Sequence, residues 1–504
     1  METTLLSRKA ADNVRRHADK PATHDVELLT PAITITGGNL NEEYQDVPIL
    51  RHKVDRRILP FMFLCHLMQL IDKVALNYAA VMGLREDLNL QANEFSNVAT
   101  VFFAAYMIAE IPTVYILTKI PAGKWLGFNV VFWGVATACT AAANSYTTLL
   151  VARIFLGICE APVVPTLTLI TSQWYTKSEQ GSRFALWFCS NGIGQIVGGL
   201  LSFAFQHVTS KTFEGWRTMF VALGGVTVVL GIATIFAIPD SPSAAAFLND
   251  ADKVKIVQHV AQPTMDTASK RFNPKQLKDA LWDFQLLLLS LMTILPSICA
   301  GVITTYSATL IRNFGYTPKT ATLLNTPSGA VSLVSTFSVG YGIRHTSHRC
   351  AWYIACCVPG ILGGALMSFL PRANQAGLLA GIYLVNFMVP SVMVTYQLVA
   401  ANTLGRTKRA FSTSLMAFSF GVGNIIGPQT VRAKDAPHYL PAKIAILATQ
   451  SAGAVLAVLL LIHYKWSNAR RERSASTAQN DVGVIVDEAR ETTDRKDPAF
   501  RYVY

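Results

Sequence analysis

Long apolar runs recur along almost the whole of this 504-residue chain, most of them reaching the ~18 residues that a helix needs to cross hydrocarbon. Twelve can be separated: 58–82, 96–118, 125–143, 147–174, 184–205, 217–238, 284–310, 320–343, 351–370, 376–399, 409–431 and 441–464. A water-soluble fold has nowhere to put so much apolar surface. Only 15% of the residues are charged, against about 25% in an average soluble domain, so the chain could not coat a soluble exterior either. The pattern predicts an all-α integral membrane protein with twelve transmembrane helices.

The polar segments divide the chain further. Residues 1–57 carry charges, Thr, Pro and Gly without periodicity and read as a disordered tail. No cleavable signal precedes the first apolar run, which is therefore expected to direct insertion itself. A polar central loop, 239–283, holds Lys253, Lys255, Lys270, Arg271, Lys275 and Lys278, and a basic tail, 465–504, follows the last run. Arg51, Lys53, Arg56 and Arg57 precede the first run. Lys119 and Lys124, Lys177 and Arg183, Arg344 and Arg349, and Arg406, Lys408 and Arg409 fill alternate loops. The opposite loops hold fewer bases, such as Arg85, Lys211, Arg312 and Lys319. By the positive-inside rule both termini are expected to be cytoplasmic. The same rule accounts for the net charge of +12 without nucleic acid, which is not expected as a partner.

The two halves repeat one another. Gly192-Ile193-Gly194-Gln195-Ile196-Val197-Gly198 in the fifth run matches Gly421-Val422-Gly423-Asn424-Ile425-Ile426-Gly427 in the eleventh, 229 residues on. Six helices in 58–238 and six in 284–464, joined by the polar loop, resemble the parallel-repeat arrangement of major facilitator transporters. Gly194 and Gly198, like Gly423 and Gly427, are spaced to let helix backbones approach closely.

Ionisable side chains inside such runs cost about 2.5 kcal/mol or more on insertion scales, so each needs a reason. Asp72 and Lys73 lie near the middle of the first run, and Arg153 and Glu160 lie on the fourth; Glu110 on the second is a weaker candidate. Seven residues is nearly two helical turns, which puts Arg153 and Glu160 on one face about 10 Å apart. The repeat places Gly301, Val302, Ile382 and Val389 at the equivalent positions, so the second half has the scaffold without the charges. A carboxylate among apolar groups beside a cation can exchange a proton for an anionic solute. Asp72 and Glu160 are the candidates for proton coupling, and Lys73 and Arg153 for holding the anion. A static salt bridge locking two helices is the structural alternative.

Asn77, Asn191 and Gln195 in the first half, and Tyr306, Asn325, Asn386 and Asn424 in the second, are candidates to complete a substrate cavity or to join helices. Ser307 and Tyr78 lie beside two of them, and His66 is a plainer candidate. The eight cysteines fall mostly inside apolar runs with no metal-binding spacing, and are read as small packing residues. No nucleotide-binding loop ending in Gly-Lys-Ser/Thr is present. The expectation is a non-enzymatic secondary transporter, without cofactor or metal, working as a monomer on a small molecule and protons in a lipid bilayer. Efflux of a secondary metabolite on the same fold, or nutrient sensing without transport, are the alternatives.

Ile71-Asp72-Lys73-Val74-Ala75-Leu76-Asn77-Tyr78-Ala79, Ala152-Arg153-Ile154-Phe155-Leu156-Gly157-Ile158-Cys159-Glu160-Ala161-Pro162, Gly215-Trp216-Arg217, Pro239-Asp240-Ser241-Pro242 and Pro327-Ser328-Gly329-Ala330 resemble the fungal allantoate permease family. So do Asn402-Thr403-Leu404-Gly405-Arg406-Thr407-Lys408-Arg409 and Asp435-Ala436-Pro437-His438-Tyr439. This is the anion:cation symporter branch of the major facilitator superfamily. The resemblance implies plasma-membrane uptake of an organic anion, such as a ureide or a vitamin carboxylate, with protons. It also implies coupling roles for Asp72, Arg153 and Glu160. Lys73 departs from the family's usual Arg, and a Lys cannot fork onto a carboxylate as Arg does. The segment 119–125 lacks the Asp of the general facilitator motif. Arg217 is expected to snorkel to the interface.

Overall fold

The computed structural model describes residues 40–91, 93–117, 119–208, 214–260, 274–346, 348–436, 438–478, 493–495 and 500–504. The expected tail up to residue 39, Lys211, Lys270, Arg271 and Pro437 lie outside the described residues. The chain divides into two units, 1–49 and 50–504, and the second holds the helical bundle.

Twelve helical spans run through the described residues. In the first half they are Leu40–Val81, Glu94–Ile116, Ala122–Thr140, Tyr146–Glu160 continued by Val163–Trp174, Lys177–Phe188 continued by Ser190–Phe205, and Gly215–Ala237. In the second they are Phe284–Asn313, Pro318–Asn325 continued by Pro327–Thr346, Arg349–Phe369, Gln375–Val385 continued by Val389–Asn402, Arg406–Gln429, and Leu440–Ala478. Ten are long and apolar enough to cross a bilayer on that criterion alone. The third and eighth are not among them. The third carries Lys124 and Asn129, and the eighth is rich in Ser and Thr and is interrupted at Thr326. The first helix is already formed before its apolar run. Leu50, Val54 and Ile58, spaced four apart, are buried along one face while Lys53, Arg56 and Arg57 stay exposed. The central loop adds two helices, Asp250–Val260 and Pro274–Leu281.

Glycine sets the packing, and it does so twice. A Cβ on Gly194 would meet Leu70 Cβ at 2.9 Å and one on Gly198 would meet Val74 at 2.9 Å, so the fifth span lies directly on the first. In the second half, a Cβ on Gly423 would come within 2.5 Å of the Ile294 carbonyl and one on Gly427 within 2.5 Å of the Ile298 carbonyl, which puts the eleventh span on the seventh. Gly192 meets Gly329 of the eighth span, and Gly421 meets Met107 of the second. These are equivalent contacts of the repeat, and both reach across from one half to the other. Within each half the remaining pairs follow suit. Gly127 and Gly134 face Gly231 and Gly224 where the third span packs on the sixth, and Gly360 and Gly364 face Gln450 and Leu447 where the ninth packs on the twelfth.

The loops rich in Lys and Arg define one side of the molecule, the basic side. The hydrogen bonds that join the halves cluster toward the opposite, far side. Asn77 Nδ2 donates to Ser307 Oγ at 2.8 Å, and its Oδ1 accepts from the Ala308 amide at 3.2 Å. Ser96 and Tyr306 share a bond of 2.5 Å, and Asn325 Nδ2 donates to Tyr78 at 3.1 Å. Gln429 Nε2 donates to Asn97 and Thr100, the Ala433 amide donates to Asn93, and Gln206 Nε2 donates to Thr322. Tight glycine contacts extend inward from that side as far as Gly421 on Met107 and Gly192 on Gly329.

Arg217 finds its partners at the far-side end of the third span. Its Nη1 donates to the carbonyls of Ala141 at 2.6 Å and Ala143 at 2.8 Å, capping the end of the third span. Such orphan carbonyls would otherwise lack partners within their own helix.

Candidate functional site

Adjacent residues on a helix point about 100° apart, and this separates Asp72 from Lys73. Asp72 turns into the first half. Its Oδ1 accepts from the Thr137 hydroxyl at 3.2 Å, and Trp133 and Arg153 lie beside it. The Arg153 guanidinium sits 5.5 Å from the centre of the Phe220 ring and within electrostatic reach of both Asp72 and Glu160. Lys73 turns the other way, toward the second span and the middle of the molecule. Its Nζ lies 3.0 Å from Glu160 Oε1 and 5.3 Å from the centre of the Tyr106 ring.

Burial differs sharply among the four charges. Asp72 and Arg153 are each 3% exposed and Glu160 is fully covered, whereas 16% of the Lys73 side chain is accessible. Hydrogen bonding is incomplete. Asp72 Oδ2, Arg153 Nε and Nη2, and both Glu160 carboxylate oxygens lack a well-directed partner, although Lys73 is close to the last.

The backbone beside Glu160 explains its placement. The fourth span breaks at Ala161–Pro162, because proline has no N–H to continue the ladder and its ring crowds the preceding turn. Gln69 Nε2 donates to the released Glu160 carbonyl at 3.4 Å. Other spans are interrupted too: the fifth near Cys189, the eighth at Thr326, and the tenth through the short 3-10 turn Asn386–Met388. Interrupted helices within a membrane are stable only where protein or a cavity covers the freed backbone.

The remaining sequence candidates fall into two groups. Asn77, Tyr306 and Asn325 bond across the halves on the far side, and Asn325 Oδ1 is left without a partner. Asn191, Asn386 and Asn424 donate back to the carbonyls of Phe188, Ile382 and Phe420 on their own spans. Gln195 contributes its backbone carbonyl to Tyr78 at 3.3 Å and stays half-buried. His66 is inside the first half, sharing a 2.5 Å bond with Ser190. The equivalents of the charges in the second half are uncharged: Val302 and Ile382 are fully buried, Gly301 abuts the Asn424 backbone, and Val389 is half-buried.

Sequence reasoning missed Gln69, Tyr106, Trp133, Thr137 and Tyr396. Tyr106 and Glu110, four apart on the second span, share a face, and both lie within electrostatic reach of Tyr396 on the tenth. Tyr396 thus brings the second half up to Tyr106 and Glu110, the second-span residues beside Lys73. The four-residue spacing of Tyr106 and Glu110 was a readable signal; nothing local marks Tyr396.

Comparison with known proteins agrees with this architecture. The family model described as Major Facilitator Superfamily matches residues 62–428. A thiamine pathway transporter of Saccharomyces cerevisiae is 34% identical over 458 residues, 91% of this chain and 86% of its own. Allantoate permease of the same yeast is 31% identical over 466 residues, 90% of this chain and 86% of its own. Among solved structures, a D-xylose-proton symporter superposes with a TM-score of 0.62 at 13% identity, covering 80% of this chain and 96% of that one.

Proposed function

The chain belongs to the major facilitator superfamily, in the group that includes fungal allantoate permease, and on that premise we propose that it carries a small organic anion together with a proton, exchanging the two at Lys73 and Glu160. As a member it is a multi-pass membrane protein and a secondary transporter of a small molecule. The observation that carries the finer reading is the Lys73–Glu160 pair. Of the four mid-membrane charges, it joins the one with appreciable exposure to a carboxylate with none, 3.0 Å apart.

In the empty carrier Lys73 neutralises Glu160. A proton arriving on Glu160 removes that charge and frees the ammonium. The anionic group of the substrate then takes its place against Lys73, with Tyr106 and Tyr396 beside it. Loss of the substrate returns Lys73 to Glu160 and expels the proton, so neither solute crosses alone. Arg153 lies between the two acids, which makes Asp72 the second carboxylate of the circuit and the anchor that holds Arg153 off the pathway. Lys73 binds as a point charge, so the site selects for negative charge more than for the planar geometry that an Arg would demand.

The zipped far side and the position of Glu110 and Tyr396 toward the basic side support a carrier open to the basic side. With that side cytoplasmic, as the positive-inside rule has it, the conformation is inward-facing and both termini are in the cytoplasm. We place the protein in the plasma membrane as a monomer that imports its substrate, which fits its likeness to a permease.

Purified protein in liposomes tests this. A panel of labelled carboxylates including allantoate, with thiamine as a cationic comparison, is offered with and without an imposed pH gradient. The proposal expects at least one anion to accumulate only when the outside is more acidic. Accumulation of thiamine alone, or uptake indifferent to the gradient, would refute it.

A further inference from the structure

The second half has no ionisable cluster in mid-membrane, yet it buries a complete one at its basic rim. Lys408, at the start of the eleventh span, is fully covered. Its Nζ lies 2.5 Å from Asp283 at the start of the seventh span and 2.7 Å from Asp494. Asp494 belongs to neither bundle. It sits near the end of the chain, where the described residues 493–495 and 500–504 form no helix or strand and fold back over the rim.

These residues are held as a bound peptide is held, by side chains reading their backbone. Asn402 Nδ2 donates to the Val503 carbonyl at 2.7 Å while the Val503 amide donates to Asn402 Oδ1 at 2.7 Å. Asn468 treats Tyr502 in the same two-sided way, at 2.9 Å each. Arg471 donates to the carbonyls of Phe500 and Asp494, both at 2.6 Å, and its guanidinium covers the Tyr502 ring, which stacks on Tyr464. Asp494 also accepts from the Leu404 amide at 3.3 Å and the Tyr502 hydroxyl at 3.1 Å. Arg495 donates to the Trp282 carbonyl. The end of the chain therefore bridges the entry to the seventh span, the 402–409 loop between the tenth and eleventh, and the end of the twelfth.

We propose that residues 493–495 and 500–504 are an intramolecular clamp, docked in a peptide site on the basic rim of the second half and keyed by Asp494 on Lys408, and that releasing the clamp frees the 402–409 loop. Three of the loop's anchors are on the clamp: Asn402 on Val503, the Leu404 amide on Asp494, and Lys408 on Asp494. Its anchors off the clamp are Lys408 on Asp283 at 2.5 Å, the Thr407 amide on Gln276 at 3.1 Å, Arg409 on the Thr403 carbonyl at 3.2 Å and Gln285 on the Asn402 carbonyl at 3.3 Å, so the clamp supplies three of these seven. Gly405 opens the eleventh span at φ +96°, a conformation that glycine enters and leaves freely. Among the described residues, the rim of the first half is held by pairs outside the clamp: Arg183 bonds Asp55, and Glu179 takes Arg51 and His259.

Amide hydrogen exchange on the full-length protein in micelles, with no substrate present, tests the clamp separately from the transport reading. Asp494→Asn removes the key charge. Val503→Pro removes one backbone donor and leaves every charge in place, so it serves where the first variant folds poorly. Each is expected to speed exchange in 402–411 by about tenfold or more, with 177–188 and 250–260 unchanged. Wild-type protection of 402–411 in a folded variant would overturn the proposal, as would acceleration spread equally over both rims.

Discussion

The two halves share a scaffold and differ in where they bury charge. The first half keeps Asp72, Lys73, Arg153 and Glu160 in mid-membrane and leaves several of their polar atoms without partners. The second half keeps Lys408 at the basic rim and surrounds it with two carboxylates at 2.5 and 2.7 Å. One of them, Asp283, also caps its own helix through the Gln285 amide. The second set is saturated by charge-assisted bonds, and on the transport reading proposed above the first is the set that trades partners. The desolvation cost is similar in kind for both sets, so the difference lies in what each set gets back.

Removing one acid from each set sharpens that contrast. Asp494→Asn takes a partner from a fully buried ammonium, and breaking a buried pair costs about 3–5 kcal/mol. Because Asp283 remains, a loss near the lower end is expected, read as a lowered melting temperature in micelles. Glu160→Gln should cost less than that, because Lys73 keeps partial access to water when its partner is neutralised. Equal destabilisation by the two would erase the distinction.

Lys73→Ala comes next in size. It should raise the KM for the transported anion by about tenfold or more, or ~1.4 kcal/mol, while Lys73→Arg largely restores it. Unchanged KM in the alanine variant would move anion binding to Arg153. Smallest is Asn77→Ala, which removes one donor and one acceptor across the far-side seam. At about 1 kcal/mol for the bonded group, it should shift the population about fivefold toward the far-side-open form. Labelling of a single cysteine placed beyond the seam reads this, and unchanged labelling would remove Asn77 from the seal.

Much of the fold was legible because periodicity and glycine spacing act locally. The 192–198 and 421–427 repeat announced both the duplication and the close helix contacts, and the structure shows Gly194 on Leu70 and Gly423 on Ile294 accordingly. The mid-membrane charges were legible because hydrocarbon penalises them wherever they point. Their directions were not. Whether Asp72 or Lys73 faces the middle depends on helix rotation, which is set by Gly194 and Gly198 seating the fifth span against the first. Tyr396 and the Asp494–Lys408 contact were invisible for a related reason: each joins residues distant in sequence, and neither carries a local pattern. The partners of Arg217 were hidden in the same way, since the carbonyls it caps, at Ala141 and Ala143, come from another span.

The most direct test of the exchange at Lys73 and Glu160 compares two modes of transport in one preparation of Glu160→Gln liposomes. The account predicts that accumulation driven by a pH gradient is lost while exchange of labelled for unlabelled anion continues, since a permanently neutral residue 160 leaves Lys73 free to bind. Gradient-driven accumulation equal to that of the wild type would contradict it.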